Sequence, residues 1–287
     1  GIRGAAESSR AGRECQFRMG REPSARGKEA FLKRYERIFG DRFPGLKAAL
    51  EGPPDSVEYA EGLARPYRMD RASVLAARSL PLPEEGRVLD ACAAPGGKSL
   101  VLASRMADRP GLTLTSNELS ADRRRRLRDV LALHLPPELA GRVAVLGFDA
   151  ASRARREREA WDAILLDAPC SSERHVLASP AHLAAWSEAR VRNLAARQWS
   201  LLSAAFLLLK PGGALVYSTC ALSPEENDGV AGRLGAKYGD RVLYEPPSAE
   251  DAGPEAPVFE GTEFGILVLP DAARGAGPMY ICRIRKA

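Results

Sequence analysis

Two cysteines stand where a chain can use them chemically. Cys170 closes "LLDAPC" and Cys220 closes "ALVYSTC", each at the carboxyl end of an apolar run. Asp167 precedes Cys170 by three residues, and Pro169 stiffens the link between them. Sulfur suits covalent chemistry because it is both a good nucleophile, as the thiolate, and a good leaving group. A carboxylate fixed relative to such a thiol can stabilise charge or hold a proton. Acids also end three other apolar runs: Asp90 in "RVLDA", Glu118 in "LTLTSNE" and Asp149 in "RVAVLGFDA". Singly these have ordinary readings, since an acid after a strand often caps a helix and a cysteine is often a small buried apolar residue. Four acids and two thiols on successive strand ends point instead to one shared site.

The turn after the first run, "DACAAPGGKS", contains Gly96 and Gly97, which let the backbone turn tightly and approach a ligand. The helix that follows directs its free N–H groups at the same place. Glu118 lies about 20 residues further on, where a nucleoside-binding α/β fold often holds ribose hydroxyls with an acid. There is no GxGxxG and no GxxxxGK[ST] here, which disfavours dinucleotides and P-loop nucleotides. An adenosine ligand without a pyrophosphate fits better, and S-adenosylmethionine is the obvious candidate.

The elements that must position these residues alternate from residue 87 onward. Strands are expected over 87–91, 112–118, 142–150, 162–168 and 214–220, with helices over 98–107, 120–134, 182–210 (in one or two pieces) and 223–238. Segments 263–270 and 279–286 can close the sheet as an antiparallel pair. Repeated β-α units predict an α/β fold with a mostly parallel sheet and helices on both faces, with ligands at the carboxyl ends of its strands. Residues 1–27 read as a mobile tail, 28–85 as a helical N-terminal region with a role in RNA contact, and 86–287 as the catalytic domain.

Composition is that of a soluble globular chain: 287 residues, 45% hydrophobic, 28% charged, net charge +5. The mild basicity suits a nucleic-acid partner. The five cysteines (Cys15, Cys92, Cys170, Cys220 and Cys282) are odd in number, with no CxxC and no zinc-like Cys/His spacing. A reducing cytosol, no metal and no membrane anchor are therefore expected; no 18-residue apolar run or signal-peptide pattern occurs.

Four segments, "DACAAPGGKS" (90–99), "SNELSADR" (116–123), "LLDAPCS" (165–171) and "YSTCALSPEEN" (217–227), together resemble the RNA cytosine-5 methyltransferases of the RsmB/Nop/Sun family. The resemblance covers roughly residues 60–287 and implies a Rossmann-like class I methyltransferase fold with a seven-stranded, mostly parallel sheet. It implies S-adenosylmethionine as methyl donor, cytidine in RNA as target and a monomer. Carried over by position, Cys92, Ala93, Ala94, Pro95, Gly96, Gly97 and Lys98 resemble the cofactor loop. Glu118 resembles the ribose acid, Arg123 a neighbouring contact, and Asp149 with Ala150 the adenine contact. Asp167 would sit where cofactor and base meet. Cys220 resembles the nucleophile and Cys170 the thiol that assists product release; the residues alone do not say which cysteine attacks.

Such a thiolate would add to C6 of cytosine and make C5 able to take a methyl group, with Asp167 stabilising charge near N3. "DAPCSSERHVL" departs from the family's frequent DAPCSG; Ser172, Glu173 and Arg174 resemble the branch containing the mitochondrial ribosomal-RNA enzyme, so ribosomal RNA is preferred over transfer RNA. No appended RNA-binding domain is evident. RNA grip is then expected from the basic helix at 28–47, Arg68 and Arg71, and the arginine clusters at 123–128 and 153–158. Tyr67, Trp186 and Trp199 are expected to pack, and His175 to lie on a loop or surface. Two other readings stay open: a catalytically silent RNA-binding ribosome-assembly factor, and a DNA cytosine methyltransferase, whose nucleophile sits in a Pro-Cys turn like 169–170. The intact pair of thiols speaks against the first, and Cys220 against the second.

Overall fold

The computed structural model describes residues 23–247 and 255–287. Helices α1 (Pro23–Phe39) and α2 (Phe43–Glu51) lead to a hairpin of β1 (Ser56–Tyr59) and β2 (Tyr67–Asp70), then to α3 (Arg71–Arg78). The alternating part follows as β3 (Glu85–Asp90), α4 (Gly97–Ser104), β4 (Gly111–Asn117), α5 (Ala121–His134), α6 (Pro137–Ala140), β5 (Val143–Leu146), α7 (Ala150–Arg153) and β6 (Trp161–Asp167). Then come α8 (Glu173–Ala178), α9 (Pro180–Ala184), α10 (Glu188–Leu208), β7 (Leu209–Thr219), α11 (Asp228–Tyr238), β8 (Val242–Tyr244), β9 (Glu260–Gly261), β10 (Ile266–Val268) and β11 (Met279–Lys286).

The sheet runs β5-β4-β3-β6-β7-β11-β10-β9. Neighbours from β5 to β7 are parallel, and β11 lies antiparallel between β7 and β10. The expected seven strands are thus β3–β7, β10 and β11, to which the short β8 and β9 are added at β11 and β10. The chain moves outward from β3 to β5 and returns to β6 beside β3, so strand order reverses there and a crevice opens at the carboxyl edge. The strands are apolar on both faces, and successive residues serve opposite cores. Val88, Leu165 and Val216 join the layer with α3 and α4, while Leu89, Leu166 and Tyr217 join that with α10 and α11. A third cluster packs Phe31 and Tyr35 of α1 against Trp186, Val191 and Leu222.

Four local expectations change. The first helix starts at Pro23, inside the stretch read as a tail; the rest of that stretch, with Cys15, lies outside the described residues. The strand expected over 142–150 ends at Leu146, because Asn117 takes the Phe148 N–H (2.8 Å) and Asp149 turns to cap α7. The helix expected from Pro224 starts at Asp228: Glu226 N–H closes a turn onto Ser223 O (3.1 Å), and the preceding acids bond elsewhere. The β1–β2 hairpin, with Ser56 opposite Asp70, was not expected. The 182–210 stretch is indeed two helices, and Ser187 caps the second through Arg190 N–H.

Candidate active site

Adjacent parallel strands bring their tips together whatever the sequence distance between them. Asp167 of β6 pairs in register with Ser218 of β7, and the two chains continue side by side to Cys170 and Cys220. Their sulfurs stand 2.9 Å apart, and Cys220 N–H donates to Cys170 Sγ at 3.3 Å. The hydrogen bond from Cys170, with one from Ser172, outweighs burial and lowers the Cys220 thiol below its ordinary value. The same bond, with burial, raises Cys170. Burial and the mutual hydrogen bond thus bias the pair toward a thiolate at Cys220 rather than at Cys170.

A reciprocal clasp of two buried carboxylates, Glu173 and Glu226, holds the loops in this register. Glu226, beyond β7, accepts Ser171 N–H (3.0 Å) from the loop after β6. Glu173, beyond β6, accepts Leu222 N–H (2.8 Å) from the loop after β7. Tyr35 of α1 and Ser171 donate hydroxyls to Glu173. Gln198 of α10 donates to both Glu226 (2.7 Å) and Pro169 O (2.9 Å). Burial, reinforced by Glu173, pushes the Glu226 carboxyl up to about 7. Sequence reading missed this clasp. Its one available signal was the placement of acids three residues past Cys170 and six past Cys220, which reads equally well as helix-start chemistry.

Beside the sulfurs a cavity of about 220 Å³ is lined by Tyr67, Asp90, Cys92, Lys98 and Asp167 among others. Lys98 Nζ lies 2.8 Å from Asp167, whose other oxygen accepts Ser218 Oγ at 2.8 Å. Burial disfavours the Lys98 ammonium, but Asp167 more than offsets this and raises it. Asp90 is fully buried; burial pushes it up to about 7, although Ser99 Oγ donates to it at 2.7 Å. Its other oxygen has no hydrogen-bond partner.

Cys92 also lines a second cavity of about 470 Å³, with Glu118, Arg123, Phe148, Asp149 and Ala150. Glu118 accepts Ser120 N–H through Oε1 (2.9 Å). Its Oε2 is buried without a hydrogen-bond donor, with Arg123 Nη1 at 3.4 Å. Arg123 also donates to Ala94 O (2.8 Å), tying α5 to the glycine turn. Asp149 both caps α7 and pairs with Arg197 (2.7 Å). Burial and the nearby acids keep Cys92 a neutral thiol. Gly96 adopts φ +127°, and a Cβ on Gly97 would stand 2.9 Å from the Tyr67 ring, so both positions need glycine.

Residues 77–282 match the family described as "16S rRNA methyltransferase RsmB/F". The chain belongs to the RsmB/Nop/Sun family of RNA cytosine-5 methyltransferases. It is 32% identical over 270 residues to "tRNA (cytosine(34)-C(5))-methyltransferase, mitochondrial" of Mus musculus, covering 90% of this chain and 77% of that one. It is 34% identical to "5-cytosine rRNA methyltransferase NSUN4" of Bos taurus, over 78% of this chain and 60% of that one. Among solved structures, "NSun6 from Pyrococcus horikoshii with SFG" superimposes with a TM-score of 0.60 at 26% identity, over 82% of this chain and 56% of that one. The chain thus spans well under two thirds of some of these relatives.

S-adenosylmethionine is the cofactor of this family, and SFG is an analogue of it. The residues fit the donor. The unfilled Glu118 oxygen suits a ribose diol, and the Phe148, Ala150 and Leu201 walls suit a flat ring. The smaller cavity, with Asp90 and Asp167, suits an ammonium-bearing, positively charged chain. Of the twelve positions carried over for the cofactor, Cys92 to Pro95, Gly97, Lys98, Glu118, Arg123, Asp149, Ala150 and Asp167 line one or both cavities, and Gly96 turns the chain between Pro95 and Gly97.

Several of the basic residues expected to grip RNA from the N-terminal helices reach carboxylates of the protein itself, while Lys28 and Lys33 are exposed. Arg34 pairs with Glu225 (2.6 Å), Arg42 with Asp271 (2.6 Å), Lys47 with Glu51 (2.7 Å) and Arg71 with Asp55 (2.8 Å). Arg68 is exposed at the cavity mouth beside half-buried Tyr67. Arg174 is used internally, bonding Leu50 O, Gly52 O, Gly275 O and Gly277 O. His175 is exposed, Trp186 is buried, and Trp199 is half-buried beneath Arg233. Among the described residues no Cys, His, Asp and Glu group could hold a metal, and no helix is long and apolar enough to cross a membrane.

Proposed function

We propose that this protein methylates C5 of a cytidine in ribosomal RNA through a covalent Cys220–C6 adduct, as a cytosolic monomer. The observation that carries the reading is the 2.9 Å approach of Cys170 and Cys220 beside the Lys98–Asp167 pair. S-adenosylmethionine, when bound, supplies an electrophilic methyl group on a sulfonium. Cys220, readied by its bond from Cys170, adds to C6 and raises the electron density at C5, where the methyl group is accepted. N3 takes up the proton that the Cys220 thiol has given up, and the Asp167 carboxylate, fixed by Lys98 and Ser218, accepts the resulting N3–H. A water takes the C5 proton, the freed pair forms the C5–C6 double bond, and the C6–S bond breaks with its pair leaving on Cys220, which restores the ring. The Cys170 S–H stabilises the departing sulfur. Glu118, Arg123, Asp149 and the 92–98 turn hold the donor.

The test is labelled methyl uptake by RNA, with a denaturation-resistant complex on RNA carrying 5-fluorocytidine. Cys220→Ala should abolish both, and Cys170→Ala should let adduct accumulate on ordinary RNA. Full methylation by Cys220→Ala overturns the mechanism. RNA binding without methyl uptake by any cellular RNA would instead identify a silent assembly factor. Transfer RNA is the second reading for the target, favoured by the 90% coverage of this chain in its match to the mitochondrial tRNA enzyme. Bisulfite sequencing of cellular RNA with and without the protein separates the two.

A further inference from the structure

A cleft of about 360 Å³ lies between α7, α10 and the end of α11, away from the two sulfurs. Arg155, Arg158, Lys237, Trp199, Ser200 and Ser203 line it, and among the described residues no carboxylate does. Arg155, Arg156, Arg158, Arg233 and Lys237 are all exposed. None of them has a carboxylate partner among the described residues, in contrast to the paired Arg34, Arg42, Lys47 and Arg71. Trp199 organises the charges: Arg233 sits 4.5 Å and Lys237 5.2 Å from its ring centroid. Lys237 also donates to Ser203 Oγ at 3.3 Å. Like charges gathered without counter-charges repel one another, and an anion relieves that repulsion.

We infer that this cleft is an RNA-backbone site, binding phosphates at a distance from the target cytidine. The inference rests on the proposed RNA methyltransferase activity and names where that activity gets part of its RNA affinity. Sequence brings together only the 153–158 arginines; folding adds Trp199 from α10 and Arg233 and Lys237 from α11. The cleft and the donor cavity are built on the same two helices, α7 and α10, with Ala151 and Ala204 lining the cleft and Ala150 and Leu201 the donor cavity. An RNA strand held there therefore lies on the donor side of the domain. Phosphate contacts of this kind position a nucleic acid without reading its bases.

The test compares wild type with an Arg155→Gln/Arg158→Gln/Lys237→Gln variant in binding a fluorescein-labelled ribosomal-RNA fragment over a salt series. RNA affinity should fall about tenfold, and the slope of log affinity against log salt should flatten by about 2. S-adenosylhomocysteine affinity and kcat at saturating RNA should stay as in wild type, while KM for RNA rises. Arg155→Lys/Arg158→Lys should keep the salt slope of wild type, since the number of charges is unchanged. Unchanged affinity and slope in the triple variant, with wild type active on RNA, overturn the cleft alone. A wild type that neither binds nor methylates RNA overturns the functional reading and the cleft with it.

Discussion

Cys170 holds its sulfur 2.9 Å from that of Cys220, fifty residues further along the chain. The thiol proposed to release the product is therefore also the group that lowers the proposed nucleophile, Cys220, below its ordinary value. One hydrogen bond lowers the acidity constant of one sulfur and raises that of the other.

Removing the donor should undo that bias. Cys170→Ala is expected to move the pH profile of Cys220 alkylation by iodoacetamide upward and to slow labelling near neutrality. Mass spectrometry of the 220 peptide reads it. An unshifted profile would mean that Cys170 does not tune Cys220.

Glu226 predicts an unusual pH dependence of stability. Its folded-state carboxyl is raised to about 7, so between its ordinary value and 7 the native state holds a proton that the unfolded chain has lost. Stability is then fully present below that window and declines as pH rises through it, by on the order of 3 kcal/mol. Asp90 acts in the same direction. Both N–H donors to Glu226 reach a single oxygen, which glutamine retains. Glu226→Gln should therefore flatten the decline between pH 5 and pH 8 in urea titrations (about those two endpoints). Equal slopes in variant and wild type would remove Glu226 as its source.

The unfilled oxygen of Glu118 predicts where donor affinity resides. Glu118→Ala should weaken S-adenosylhomocysteine binding by about 10- to 100-fold, the range for hydrogen bonds to a charged group. Calorimetry measures this. Glu118→Ala binding as tightly as wild type would move the ribose elsewhere.

Gly97 sets the distance between α4 and the hairpin. A Cβ there would lie 2.9 Å from Tyr67 Cε1 and 3.3 Å from Met69 Cε. Gly97→Ala should force Tyr67 aside and destabilise the fold by about 1–3 kcal/mol. Thermal melts and donor affinity should fall together; wild-type values for both would show that the hairpin yields without cost.

Sequence by itself determined the alternation of the main strands and helices from residue 87 onward, and with it the positions of Asp90, Glu118, Asp149 and Asp167 at or just past the carboxyl ends of their strands. Those features are local: an apolar run followed by an acid or a glycine turn reads the same in any context. It erred where a distant partner outbid a local preference. Phe148 left the strand expected over 142–150 to bond Asn117, and Glu226 left the helix that Pro224 would have started, because Ser171 and Gln198 supplied donors for a buried carboxylate. Only tertiary structure decided which sulfur is the readier thiolate, which acids clasp the two cysteine loops, and which arginines stay free of internal carboxylates. Each of these depends on atoms from chain segments tens of residues apart, and adjacency between parallel strands, which no local pattern encodes, is what brings such segments within hydrogen-bond reach.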